Sequence, residues 1–87
     1  MHEASLVRDL VRRADAVVAA EEARCAAAVT VRRGALCHVS ADHLRGHFAK
    51  AARGTRVEGA DLRVESDDDP TAPGAADLIL VSVTVEE

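Results

Sequence analysis

An α+β fold is predicted, with two helices packed on one face of a small three-stranded mixed sheet, in the order helix, strand, helix, strand, strand. Three features lead there. Leu6, Val7, Leu10, Val11, Ala14, Val17 and Val18 recur at three- and four-residue steps, the spacing that lines up one face of a helix. Ile79, Val81, Val83 and Val85 alternate with Leu80, Ser82, Thr84 and Glu86, the two-residue period of a strand. Between these lies a shorter helical stripe, Leu44, Phe48, Ala51 and Ala52, bracketed by two short alternating runs. No single element can bury its apolar side alone, whereas two helices stacked on one sheet face bury all of them together. The strand-helix-strand segment favours a parallel pair joined by a right-handed crossover. The last two strands run antiparallel if a hairpin joins them.

Taken in order, the first helix is predicted from about Ala4 to Ala23, with Arg8, Asp9, Arg12, Arg13 and Asp15 on its polar side. Glu3 falls at its first turn, where the helix dipole favours a carboxylate. A strand follows over residues 27–35, with Val29 and Val31 on one face and Thr30 and Arg32 on the other. Arg33 breaks the inward series and Gly34 marks a bulge or strand end. Ser40 is suited to cap a second helix from about Ala41 to Arg53, which Gly54 closes as the residue after the cap. The next strand runs from Asp61 to Glu65 with Leu62 and Val64 inward. From Ser66 to Ala76 the segment contains Asp67-Asp68-Asp69-Pro70 and Pro73-Gly74, turn chemistry without periodicity. The acidic run reads as a solvated loop, because crowded carboxylates alone fix no coordination geometry.

With 87 residues the chain has room for one domain, 1–87. Aromatic residues make up 1% of it, Phe48 alone, so the core must be built from Val, Leu, Ala and Ile, which argues against an extended aromatic-lined pocket. The net charge is -4 and the basic residues are interspersed with acidic ones, which argues against a nucleic-acid surface. No apolar run is long enough to span a bilayer and none resembles a secretory signal, so a cytoplasmic location is expected. There Cys25 and Cys37 are expected as reduced, half-buried thiols rather than a disulfide. No nucleophile has a base at a readable spacing and there is no glycine-rich phosphate loop, so the chain is not expected to be an enzyme.

The chemistry concentrates at Met1-His2-Glu3. The α-amine, the intervening amide nitrogen and the His2 imidazole close chelate rings on one metal ion. Such nitrogen sets suit tetragonal Ni(II) or Cu(II), whereas zinc prefers a tetrahedral cage and calcium or magnesium prefer oxygen. A fourth in-plane position is open to the Glu3 amide nitrogen, the Glu3 carboxylate, water or a partner's ligand. Copper binds such a set more tightly than nickel, so selectivity must come from supply or from partners. Elsewhere, His43 and His47 stand at i and i+4 and share one helical face. The metalloprotease pattern needs a Glu after the first of them, where Leu44 stands; the pair reads as solvent-facing or rim histidines. Cys37 and His38 form a soft donor pair that nothing in the sequence brings to His2.

Several stretches together resemble the HypA-type nickel metallochaperones of hydrogenase and urease maturation. They are Met1-His2-Glu3 with Ser5-Leu6, Gly34-Ala35-Leu36, Val39-Ser40 through His43-Leu44, Phe48, and Arg53-Gly54-Thr55 leading to Glu58-Gly59-Ala60. The resemblance implies that Met1, His2 and Glu3 form a Ni(II) site, that the fold is two helices on a three-stranded mixed sheet, and that the partners are a nickel-insertion GTPase of the HypB type and a hydrogenase or urease precursor. One departure is large. That family carries a zinc domain with two paired-cysteine motifs between its last two core strands, where this chain has a short loop near 66–77 and no C-x-x-C. Structural zinc needs four Cys or His ligands at suitable spacing, so none is expected. The function expected is a non-enzymatic chaperone delivering Ni(II), with no nucleic acid or membrane partner. The competing reading is an interaction module of the same fold that has lost the metal and works through oligomerisation or docking at an exposed sheet edge.

Overall fold

The computed structural model describes the backbone of residues 3–87 and side chains from Ala4 onward. Five elements follow in the predicted order: α1 (Glu3–Ala20), β1 (Cys25–Arg33), α2 (Ala41–Ala51), β2 (Asp61–Ser66) and β3 (Leu78–Glu86). They form an α+β domain with a three-stranded mixed sheet.

In α1 the apolar stripe buries Val7, Leu10, Val11, Ala14 and Val18, but Val17 stays 38% exposed and lies off the stripe. The helix also ends three residues earlier than its periodicity predicts. Its close is a Schellman turn: Glu22 adopts φ 55, its N–H donates to Ala19 O at 3.0 Å, and the Ala23 N–H donates to Val18 O at 3.2 Å. These are the bonds that satisfy the last carbonyls of a helix, and the residue after the left-handed position packs back on the final turn. Ala23 is therefore buried as part of the cap rather than of the helix.

Ser40 caps α2 as predicted, its Oγ accepting from the His43 N–H at 3.2 Å. Leu44 and Phe48 face the core. The helix ends at Ala51 with Ala52 as its cap, and Gly54, at φ +78, stands two residues beyond that cap rather than directly after it. Thr55 Oγ1 donates to Ala52 O at 2.7 Å and accepts from the Val57 N–H at 3.2 Å. This turn presents Val57, fully buried, to the core. Gly46, mid-helix and exposed, has nothing within 4 Å of an added Cβ. Since glycine there holds only an entropic disadvantage, Gly46→Ala should raise stability by about 0.5–1 kcal/mol, read as a higher melting temperature.

The strand order is β2-β1-β3. β1 and β2 are parallel, with Ala28 opposite Asp61 through to Arg33 opposite Ser66. β1 and β3 are antiparallel, ending with Arg33 opposite Leu78. β2 and β3 therefore do not make a hairpin; they flank β1, and residues 67–77 carry the chain across its end. Gly34 lies under that crossing. Its N–H donates to Asp77 O at 3.0 Å and the Leu36 N–H donates to Ala75 O at 2.7 Å. The inward series of β1 continues through Val29 and Val31, both fully buried, to Arg33 at the strand end, whose Nη1 donates to Val39 O at 2.9 Å.

Two register shifts adjust the β1–β3 pairing. One inserts Ala27 between the pairs of Ala26 and Ala28, and the other inserts Val81 between Leu80 and Ser82. A bulge of one residue reverses which side chains face inward beyond it. Leu78, Leu80, Val83 and Val85 pack against the core, while Ile79 and Val81 are 39% and 42% exposed. The strict alternation read from Ile79 to Val85 thus fails at the bulge. On the outer face Arg32 pairs with Glu65 at 3.3 Å, and Arg63 with Asp61 at 3.3 Å. Exposed pairs of this kind contribute little each.

Candidate metal centre

Met1 and His2, two of the three residues expected to hold nickel, lie outside the described residues. Glu3, the third of them, opens α1. That helix is held by the buried side chains of Val7, Leu10, Val11 and Ala14 within its next three turns.

α2 lies alongside. At one end a groove is lined by Ala4 and Arg8 of α1 and by His47, Lys50 and Ala51 of α2. At the other end Asp15 of α1 accepts from the Arg56 N–H at 2.9 Å and pairs with its guanidinium at 3.2 Å, just beyond α2. The head of α1 thus meets the last turn of α2, and the middle of α1 meets the segment that follows α2. His43, exposed, and His47, half-buried, occupy one stripe of α2, next to the buried stripe of Leu44 and Phe48. Arg8 turns back toward its own helix, its Nη2 donating to Ser5 Oγ at 3.4 Å.

The other candidate donors stand apart. Cys25 opens β1 and Cys37 follows its opposite end; nine strand residues, about 30 Å of extended chain, lie between. Both are unpaired, half-buried thiols. Cys25 Sγ lies 3.7 Å from Glu86 Oε2, and Cys37 packs against the core. In the acidic loop, Asp67 Oδ1 accepts from the Asp69 N–H at 3.0 Å, and Asp69 Oδ1 accepts from the Thr71 N–H and hydroxyl at 2.9 and 2.7 Å. These bonds hold the Asp69 carboxyl below its ordinary pKa, the Thr71 side chain contributing most. The carboxylates shape the turn. Among the described residues no three His, Cys, Asp or Glu side chains converge as a metal cluster, and no helix is long and apolar enough to cross a membrane.

Comparison with known proteins bears on the same end of the chain. Residues 1–71 match the family described as hydrogenase/urease nickel incorporation, metallochaperone, HypA. The hydrogenase maturation factor HypA of Chloroflexus aggregans is 43% identical over 65 residues, covering 75% of this chain and 57% of that protein. The HypA proteins of two Chloroflexus aurantiacus strains match to the same extent. The chain spans little more than half the length of these curated relatives. With the helix-strand-helix-strand-strand order, the mixed sheet and a family match over most of its residues, this chain belongs to the HypA family of hydrogenase and urease nickel-incorporation metallochaperones.

Proposed function

We propose that this chain binds one Ni(II) as cargo through Met1, His2 and Glu3 and passes it on during maturation of nickel-iron hydrogenase or urease. The observation that carries the reading is the placement of Glu3 at the head of a helix fixed by four buried side chains, within a family match that starts at residue 1. A donor set tied to a packed helix loses less freedom on binding than one on a loose tail, so part of the ordering cost is met in folding. Amine and imidazole must be unprotonated to ligate, so uptake releases protons and strengthens as pH rises through their titration range.

Handover then needs one donor at a time to be replaced by a partner's ligand. The partners that fit are a nickel-insertion GTPase of the HypB type and the hydrogenase or urease precursor. No reaction of the chain's own is required. We further propose that it holds no structural zinc: the crossing at 67–77 contains no Cys or His, and Cys25 and Cys37 stand at opposite ends of β1. Metal analysis after nickel loading tests both statements. One nickel and no zinc per chain is expected; tightly held stoichiometric zinc, or no nickel, would refute them. The exposed Ile79 and Val81 beside the free edge of β3 are the feature that a purely docking role would use, and failure to take nickel would favour that role.

A further inference from the structure

We propose that this chain pairs with a second copy of itself along the free edge of β3, antiparallel, giving one six-stranded sheet with a two-fold axis between Val81 and Ser82. The pairing is independent of metal binding.

The two edges of the sheet are unlike. β2 is six residues long and exposes Asp61, Arg63 and Glu65, and Arg45 of α2 reaches over it to donate from Nη1 to Leu62 O at 2.7 Å. Charges and a covering side chain are devices that block a strand edge. β3 is nine residues long and carries no charge and no proline from Leu78 to Val85. Among the described residues, no backbone hydrogen bond outside the sheet engages that stretch.

The two ends of β3 show which of its groups are free. The Arg24 N–H donates to Glu86 O at 3.0 Å and the Gly34 N–H to Asp77 O at 3.0 Å, so both ends turn their backbone toward β1. Counting inward by twos, Thr84, Ser82 and Ile79 face β1, while Leu78, Leu80, Val83 and Val85 offer N–H and C=O groups to the free edge. The bulge at Val81 joins the two phases. The free-edge residues are therefore two, three and two positions apart, a spacing that reads the same in both directions. A bulge can turn an edge away from pairing, but two copies of this one match. Leu78 meets the second copy's Val85, Leu80 meets its Val83, and the bulges oppose each other at the axis. Such self-matching is what a two-fold contact requires.

The side chains lack cover on the same side. Leu78, Leu80, Val83 and Val85 pack toward the core yet stay half-buried, whereas Val29 and Val31 of β1 are fully buried. Leu6 and Leu10 of α1 line a groove with Leu78, away from the Asp15 side that holds Arg56. Val17 lies about three turns beyond Leu6 and shares its side, 38% exposed. Because α1 packs on both β1 and β3, joining the β3 edges sets the two α1 helices two strand spacings, roughly 10 Å, apart, the distance of packed helices. The contact spans about 30 Å of strand on a molecule whose thinnest extent is 18 Å. That is roughly 500 Å² per copy and about 1,000 Å² in all, the lower bound for a specific interface. A reversible dimer is the consequence.

Sedimentation velocity of the metal-free full chain, over a concentration series, tests this for the parent, Val81→Lys, Val83→Pro and Leu36→Lys. Val81 is exposed beside the axis, so its lysines would stand close together. Val83→Pro removes an N–H that faces the free edge and spares the pairing with β1. Leu36, 51% exposed and outside the sheet, controls for the loss of any exposed apolar side chain. A monomer–dimer equilibrium is expected in the parent and in Leu36→Lys, with the dissociation constant raised at least about tenfold in both edge variants and the melting temperature of the monomer unchanged in Val81→Lys. If Val83→Pro does not fold, Val81→Lys decides. A parent that stays monomeric at millimolar concentration, a dimer that either folded edge variant leaves unweakened, equal loss in Leu36→Lys, or growth beyond two copies would each overturn the proposal.

Discussion

Gly34→Ala is expected to lower stability by about 2–4 kcal/mol. A Cβ at Gly34 would stand 2.1 Å from Ala75 O and 2.6 Å from Gly74 O. Both are backbone atoms of the segment that crosses the end of β1, so no side-chain rotation relieves the clash. Overpacking of this kind costs about 1–3 kcal/mol. Moving the crossing away also weakens the bonds from Gly34 N to Asp77 O and from Leu36 N to Ala75 O, each contributing about 1 kcal/mol. For a domain of this size the loss corresponds to a melting temperature lower by roughly 10–25 °C. Thermal denaturation followed by circular dichroism measures it, with Gly46→Ala as the matched control whose added methyl meets open space. A Gly34→Ala variant as stable as the parent would mean that residues 67–77 do not cross β1 as described.

The second large effect concerns metal rather than fold. His2→Ala should abolish one-to-one nickel binding, a loss of at least about a hundredfold, while leaving the melting temperature of the metal-free protein unchanged. The imidazole is the one side-chain nitrogen that can close a chelate ring with the amine at this end of the chain, and without it the amine and amides bind only weakly. Stability should not move, because among the described residues the buried core begins at Val7, with Leu6 packed against it. A variant that still takes up nickel as the parent does would place the metal elsewhere.

Much of the architecture could be read from the residues, because it rests on two periods. The stripe from Leu6 to Val18 and the alternation of Val29 and Val31 each mark a buried face, and Ser40 marks a helix start by its capping chemistry. Three features escaped for identifiable reasons. The end of α1 is a left-handed turn at Glu22 rather than at a glycine, so nothing marks it locally. The bulge at Val81 exchanges the faces of a strand whose residues are nearly all apolar, so alternation there carried little information about which side was buried. Val39, Val57 and Ala75 are core residues in irregular segments, where no period points inward. Gly34 gave a partial signal: it read as a strand end, which it is, but the reason for glycine is the chain passing over it, and that depends on β3 lying beside β1 rather than beside β2.

The candidate site was legible in kind and not in setting. Met1-His2-Glu3 announces a chelate by the nearness of amine and imidazole, and the family match begins at the same residue. The histidine pair on α2 was visible as an i, i+4 spacing, and taken alone it suggested only rim residues. What the fold adds is that His47 lines a groove with Ala4 and Arg8 of α1, a tertiary fact that no local pattern contains. The Asp15–Arg56 pair joins residues 41 positions apart.

Nickel is proposed to be gripped by an unblocked α-amine at Met1 together with His2. Calorimetric nickel titration of the chain beginning at Met1, beside the same chain carrying one glycine ahead of Met1, tests this most directly. The extension moves the amine out of its chelate ring and leaves every described contact untouched. Loss of the one-to-one nickel heat in the extended chain is the predicted result; equal heats and affinities in the two chains would contradict it.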